Sequence, residues 1–147
     1  IATPGHTLDM INFYLPDEKI VFTGDTLFAL GCGRVFEGSF DMMWDSLEKL
    51  LALPDDTIIY CSHEYTKANA DFAITVDPGN DALDKRRAHI IEQRTKNIAT
   101  VPTMMSVEKA TNPFMRPDDP AIRAHLGMEN ASNKDVFGEI RRRKDAF

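Results

Sequence analysis

Strand signals in this sequence stop before its midpoint, and that limits the folds open to it. Three short apolar, β-rich runs occur early: Leu8 to Leu15 (LDMINFYL), Ile20 to Phe22 (IVF) and Thr57 to Cys61 (TIIYC). The first two are separated by Pro16-Asp17-Glu18-Lys19, turn chemistry that predicts a β-hairpin. Between the second and third, Met43, Trp44, Leu47, Leu50 and Leu51 recur at helical spacing in a segment that begins at Asp41 and closes at Pro54-Asp55-Asp56. The third run is β-branched and stops at Ser62-His63-Glu64, the pattern of a buried strand delivering a polar loop. Strands alternating with a helix favour an α/β layer.

From Tyr65 onward the pattern is helical. Helices are predicted over Thr66 to Ile74, Asp81 to Thr100, Ala121 to Leu126 and Ser132 to Asp145, with a turn at Asp77-Pro78-Gly79-Asn80 and irregular chain between Pro102 and Pro120. The expected division lies near Asp77: residues 1–76 as a partial α/β domain and 77–147 as a small helical domain.

Composition narrows the partners. With 17 Lys and Arg against 23 Asp and Glu the net charge is −6, and no basic stripe runs along the chain, so neither nucleic acid nor an anionic membrane surface is an expected partner. No apolar stretch approaches the roughly 18 residues of a membrane helix. Cys32 and Cys61 stand in unrelated contexts without C-x-x-C spacing, so a reducing, cytoplasmic setting is expected. The sequence opens on Ile1-Ala2-Thr3-Pro4-Gly5-His6, a motif already under way, which reads as a fragment.

Three polar residues fall where strands begin or end: His6 before the first, Asp25 after the second, His63 after the third. Loops at strand ends are where α/β folds build sites, and imidazole and carboxylate are ligands for zinc or iron. No local spacing links the three. Taken singly, His6 also reads as a turn residue, Asp25 as a cap and His63 as a satisfied buried histidine.

The wording around them is more specific. Thr3-Pro4-Gly5-His6-Thr7, Phe22-Thr23-Gly24-Asp25-Thr26-Leu27-Phe28 and Cys61-Ser62-His63-Glu64-Tyr65-Thr66 occur in that order, and together they resemble the metallo-β-lactamase superfamily. The closer resemblance is to the glyoxalase II (hydroxyacylglutathione hydrolase) family, through Gly31 to Gly38 (GCGRVFEG), His63-Glu64-Tyr65, Asn112-Pro113-Phe114-Met115-Arg116 and the closing Arg141 to Phe147 (RRRKDAF). The likeness spans essentially the whole chain. It implies the C-terminal half of an αββα sandwich followed by a helical, glutathione-binding domain.

It also implies roles. His6 resembles a ligand of one metal ion, His63 a ligand of a second, and Asp25 the carboxylate bridging both; the ions are two divalent metals, zinc before iron or manganese. The implied reaction is hydrolysis of S-(2-hydroxyacyl)glutathione, such as S-lactoylglutathione, to glutathione and a 2-hydroxy acid, a step in methylglyoxal detoxification. Arg34, Phe36, Tyr65, Arg141 and Lys144 correspond to substrate-binding positions, Phe36 standing where Tyr is frequent and Arg34 where Lys is. Arg141 and Lys144 are three apart on a predicted helix and share a face, suiting an anionic tripeptide; Arg142 and Arg143 read as a basic helix end complementing the helix dipole.

The superfamily's His-x-His-x-Asp-His motif is absent, since the four histidines are His6, His63, His89 and His125. It is expected before Ile1, so the N-terminal half of the same domain is the partner needed to complete the site. Without it, about two ligands per ion remain, below the usual three to four, and sheet surface is exposed; the chain alone is expected to bind metal weakly and to be a poor catalyst. His89 and His125 read as structural or surface residues, Cys32 lacks a base, and the methionines read as core filler. Two alternatives carry weight: a persulfide dioxygenase of the same superfamily, using one iron, and, for the isolated chain, a non-catalytic glutathione-binding module.

Overall fold

Pro16 to Lys19 turns the chain back on itself, so β1 (Phe13–Leu15) pairs antiparallel with β2 (Ile20–Gly24) as the hairpin pattern predicts. The computed structural model describes residues 1–147. A small two-stranded ribbon follows, β3 (Leu27–Phe28) with β4 (Gly31–Cys32). Next comes α1 (Phe40–Leu51), whose first turn is capped by Ser39 Oγ accepting from the Met42 amide at 3.2 Å. The chain then re-enters the main sheet as β5 (Ile58–Cys61), parallel to β2. Helices α2 (Thr66–Val76) and α3 (Asp81–Thr95) precede a last short strand, β6 (Thr103–Met104), antiparallel to β5. Three helices complete the chain: α4 (Met105–Thr111), α5 (Pro120–Leu126) and α6 (Asn133–Ala146). The four-stranded sheet has the order β1-β2-β5-β6.

Strand pairing sorts the sheet into two unlike faces. Tyr14, Val21, Ile59 and Thr103 pair across the four strands in one row and point into the core. The opposite face carries Phe13, Phe22 and Tyr60 in one row and Leu15, Ile20, Ile58 and Met104 in another. Helices α1, α2, α4, α5 and α6 share one core cluster with Val21 and Ile59 of the first face. Phe13 is 61% exposed, Phe22 46% and Tyr60 41%, with the Phe22 and Tyr60 rings stacked at 5.5 Å. Such an open apolar surface is what halving a two-sheet sandwich would produce. For the same reason β5 is buried on one side only, not on both as its apolar run implied.

The main core takes residues from both sides of Asp77: Val21, Leu47 and Ile59 meet Phe114, Phe137 and Ile140. Polar side chains from the helical region also reach into the β3–β4 corner. Asn112 Nδ2 donates to the Phe28 and Gly31 carbonyls at 3.3 and 3.1 Å, and Asn69 Nδ2 to the Ala29 carbonyl at 3.0 Å. The Leu30 amide donates to Glu108 Oε2 at 2.9 Å, and Glu108, fully buried, is paired with Arg86. Asn112 therefore has a structural role in the Asn112–Arg116 motif, and Arg116 closes it by pairing with the buried Asp77.

Elsewhere the structure corrects the expected boundaries. β1 begins only at Phe13: Thr7 Oγ donates to Asp9 at 2.8 Å in a local turn, and residues 10–12 then pair with residues 1–3, the Thr3 amide donating to the Met10 carbonyl and the Asn12 amide to that of Ile1. α3 ends at Thr95, not Thr100, since Asn97 takes a left-handed backbone (φ 55°) that a helix cannot continue through. The proline-bounded stretch after Pro102 contains both β6 and α4, elements of two and seven residues that are too short to leave a periodic signal.

Replacing Glu108 with Ala would leave the largely buried Arg86 guanidinium without its carboxylate and the Leu30 amide without an acceptor. We expect Glu108→Ala to lose roughly 3–5 kcal/mol in urea unfolding; a loss within the range of ordinary surface substitutions would show that the pair is dispensable.

Candidate metal and substrate site

The parallel pairing of β2 with β5 brings their carboxyl ends side by side, with Gly24 opposite Cys61. Asp25 leaves the end of β2 and His63 lies two residues past β5, so residues 38 apart in sequence become neighbours: His63 Nε2 is 3.1 Å from Asp25 Oδ1. Ser62 ties the two loops together. Its amide donates to the Gly24 carbonyl at 3.2 Å, and its hydroxyl lies 2.9 Å from both that carbonyl and Asp25 Oδ1.

His6 arrives from another direction. The Phe36 and Glu37 amides donate to its carbonyl, and its ring Nδ1 lies 2.8 Å from the Arg34 carbonyl. A carbonyl only accepts, so Nδ1 carries a proton, the tautomer that in the neutral ring leaves the Nε2 lone pair free. Gly33 permits this approach. A Cβ at that position would sit 1.8 Å from the Asp25 carbonyl oxygen and 3.4 Å from His6 Nδ1.

His6, Asp25, Phe28, Arg34, Phe36, His63 and Tyr65 line one cavity of about 290 Å³. His63 stacks on Tyr65 at 4.9 Å, Phe28 meets both rings edge-on, and Phe36 lies against His6 at 5.1 Å. Arg34 is its only Lys or Arg. The guanidinium lies 6.0 Å from the Phe36 ring centroid, and Phe36 and Tyr65 are both largely exposed at the rim. Phe28 received no role from sequence reasoning, although the Phe22–Phe28 motif contains it; Ser62 was likewise passed over beside its histidine.

Arg141 and Lys144 are not in the cavity wall. Arg141 is buried: it donates to the Cys32 carbonyl at 3.0 Å and to Asp145 at 2.9 Å, with its guanidinium over the Phe114 ring. Lys144 lies over Phe72 and Phe147 and donates to the Ala68 carbonyl at 3.2 Å; burial depresses its pKa below the usual lysine value, and the Arg141 charge adds to this. His125 donates to the Thr75 carbonyl and His89 pairs with Gln93, both away from the cavity. Cys32 and Cys61 are free thiols.

The donor set suits a divalent metal in kind but not in number. Two imidazoles and a carboxylate are present, and the Arg34 carbonyl fixes the His6 tautomer as such partners do at metal sites. Yet no three His, Cys, Asp or Glu side chains converge closely enough to hold an ion by themselves.

Comparison with known proteins decides the family. Residues 64–147 match the model described as "Hydroxyacylglutathione hydrolase C-terminus", and residues 1–63 match that of the metallo-beta-lactamase superfamily. The chain belongs to the hydroxyacylglutathione hydrolase family. It is 61% identical over 147 residues to a protein named hydroxyacylglutathione hydrolase from Rhizobium meliloti (strain 1021), covering all of this chain and 57% of that protein. It is 57% identical to one of the same name from Maricaulis maris (strain MCS10), covering 99% of this chain and 57% of the relative. The chain thus spans somewhat over half the length of these relatives. The crystal structure of ETHE1 from Myxococcus xanthus superposes with a TM-score of 0.57 at 28% identity, over 97% of this chain and 43% of that one. These matches bear out the expected fold class, part of a metallo-β-lactamase-type α/β sandwich followed by helices. No helix is long and apolar enough to cross a membrane.

Two predictions follow from the packing around the cavity. Gly33→Ala forces the Asp25 carbonyl away, and the chain should unfold at clearly lower urea with altered NMR shifts at His6 and Asp25; unchanged shifts would mean that the loop absorbs the Cβ elsewhere. Cys32 supplies the second. Burial pushes its thiol up to about 11 from 9.0. The unfolded thiol ionises first, so stability should fall as pH rises through that interval. Cys32→Ala should flatten this decline in unfolding measured across the same window, and an equal decline in both proteins would remove Cys32 as its source.

Proposed function

We propose that this chain forms the substrate-facing part of an enzyme that hydrolyses S-(2-hydroxyacyl)glutathione thioesters to glutathione and a 2-hydroxy acid. The observation that carries the reading is the meeting, in one cavity, of His6, Asp25 and His63 with a single guanidinium, Arg34. His6 through Nε2, His63 and the Asp25 carboxylate would hold part of a pair of divalent ions, zinc being the first choice. Bound there, divalent metal supplies Lewis acidity toward the thioester carbonyl and water acidic enough to attack it at neutral pH.

The chain's own residues bind and orient. Arg34 meets a carboxylate of glutathione through paired guanidinium donors. The Tyr65 phenol, exposed at the rim, offers a hydroxyl to the peptide, and Phe36 covers the opposite side without one. Lys144, which donates to the Ala68 carbonyl on the first turn of α2, is assigned to the outer end of the glutathione path. Arg141 serves by bracing the Cys32 backbone and not by touching substrate. In this reading, the part of the relatives' length that this chain does not span covers the open sheet face and brings the remaining metal ligands. A reducing, cytoplasmic setting, consistent with two free cysteines, belongs to the same reading.

The test joins the chain to the amino-terminal part of the Rhizobium meliloti relative and follows S-lactoylglutathione hydrolysis together with metal content. The joined protein should hydrolyse the thioester, and the chain alone should be nearly inactive. Asp25→Ala should reduce both metal content and turnover to background. Near-normal turnover in Asp25→Ala would overturn the metal assignment. Lys144→Ala should raise KM severalfold with kcat little changed; an unchanged KM would remove Lys144 from the glutathione path.

A further inference from the structure

Asp145 breaks a local rule. It sits in the last turn of α6, the negative end of the helix dipole, where a carboxylate is disfavoured and where Arg143 and Lys144 are the expected company. Its surroundings supply a reason. One oxygen, Oδ1, accepts from Arg141 Nη2 at 2.9 Å and lies 3.5 Å from Arg34 Nε. Arg34 is the only Lys or Arg in the cavity wall, and its side chain is otherwise largely in solvent. A long exposed arginine has many rotamers, and holding it ready for a ligand requires a fixed partner.

Asp145 is itself held. Arg141, buried in α6, grips Asp145 with one terminal nitrogen and the Cys32 carbonyl, two residues before Arg34, with the other. The carboxylate and the backbone from which Arg34 springs are therefore fixed by one guanidinium. Engaging Arg34 through Nε leaves both of its terminal nitrogens available to an incoming carboxylate.

We infer that Asp145 is a positioning residue for substrate recognition: it orients Arg34 across the cavity so that the guanidinium fork meets a carboxylate of the glutathione moiety. The inference rests on the glutathione reading of the cavity and adds to it how the tail helix sets recognition. Asp145 touches no substrate and acts only through Arg34.

A double-mutant cycle on glutathione affinity separates this role from a structural one. Calorimetric titration of the chain with glutathione would compare the unmodified protein with Arg34→Ala, Asp145→Ala and the double variant, each checked for folding by its thermal transition. Asp145→Ala should weaken binding about fivefold or more, and the double variant should bind no more weakly than Arg34→Ala alone. Asp145→Asn keeps an acceptor for Arg141 and guards against misfolding of the alanine variant; it should fall between Asp145→Ala and the unmodified chain.

Additive losses, or an Asp145→Ala chain that binds as well as the unmodified one while Arg34→Ala binds poorly, would overturn the positioning role and leave the glutathione reading standing. An unmodified chain that does not bind glutathione, or an Arg34→Ala chain with undiminished affinity, would overturn both.

Discussion

The buried carboxylate of Glu108 organises the middle of this molecule. Burying a charge is costly unless it is paired and its remaining lone pairs are satisfied, and here every surrounding element contributes. Arg86 comes from α3; Thr103 of β6 donates to Oε1 at 2.7 Å, Asn112 to Oε2 at 3.0 Å, and the Leu30 amide to Oε2 at 2.9 Å. The last of these joins the helical region to the corner between β3 and β4, where Leu30 takes a left-handed backbone (φ 58°). Buried carbonyls at a tight corner need donors that no strand can supply, and Asn69 and Asn112 provide them. The corner stands between Asp25 and Arg34. The helices after residue 64 are therefore the internal solvent of the loop on which the cavity is built.

That dependence explains how a half-covered sheet can still present an ordered site. The parallel β2–β5 pair aims Asp25 and His63 at each other, but two adjacent strand ends cannot fix a third loop. His6 is held instead by backbone amides from residues 36 and 37 and by the Arg34 carbonyl, all of which follow β4. β4 is in turn held by Asn112 and Arg141. Asp25 and His63 thus come from the sheet and are aligned by it, while His6 comes from the loop before β1 and is aligned through β4 by the helices. The bare face of the sheet lies on the other side of the strands and takes no part in this alignment. For that reason the cavity can keep its shape while still lacking the donors needed to close around an ion.

Much of this was legible in the sequence because the signals are local. The Pro16–Lys19 turn, the apolar stripe of α1 and the Asp77–Asn80 turn before α3 are read within a few residues, and the structure has them. The loops that carry His6, Asp25 and His63 were legible from their wording. What could not be read was set by contacts between distant residues. β6 exists because Ile59 has an open edge for Thr103 to pair with, 44 positions further along. β5 reads as buried on both sides because an apolar run does not record which of its faces lacks a cover.

Arg141 shows the limit of periodicity most clearly. A spacing of three places Arg141 and Lys144 on one face of a helix, yet Arg141 is 5% exposed while Lys144 is only half-buried. Helical spacing fixes the angle between two side chains about the axis and says nothing about which part of that arc points inward. α6 packs against α1 and the Pro113–Met115 turn, and that contact turns Arg141 under the Cys32 carbonyl. A guanidinium has five donors in a rigid fork, so once buried it braces two elements at once. The basic tail thus divides its labour by depth: the inner arginine supports the loop, and the outer charges are left to meet solvent or ligand.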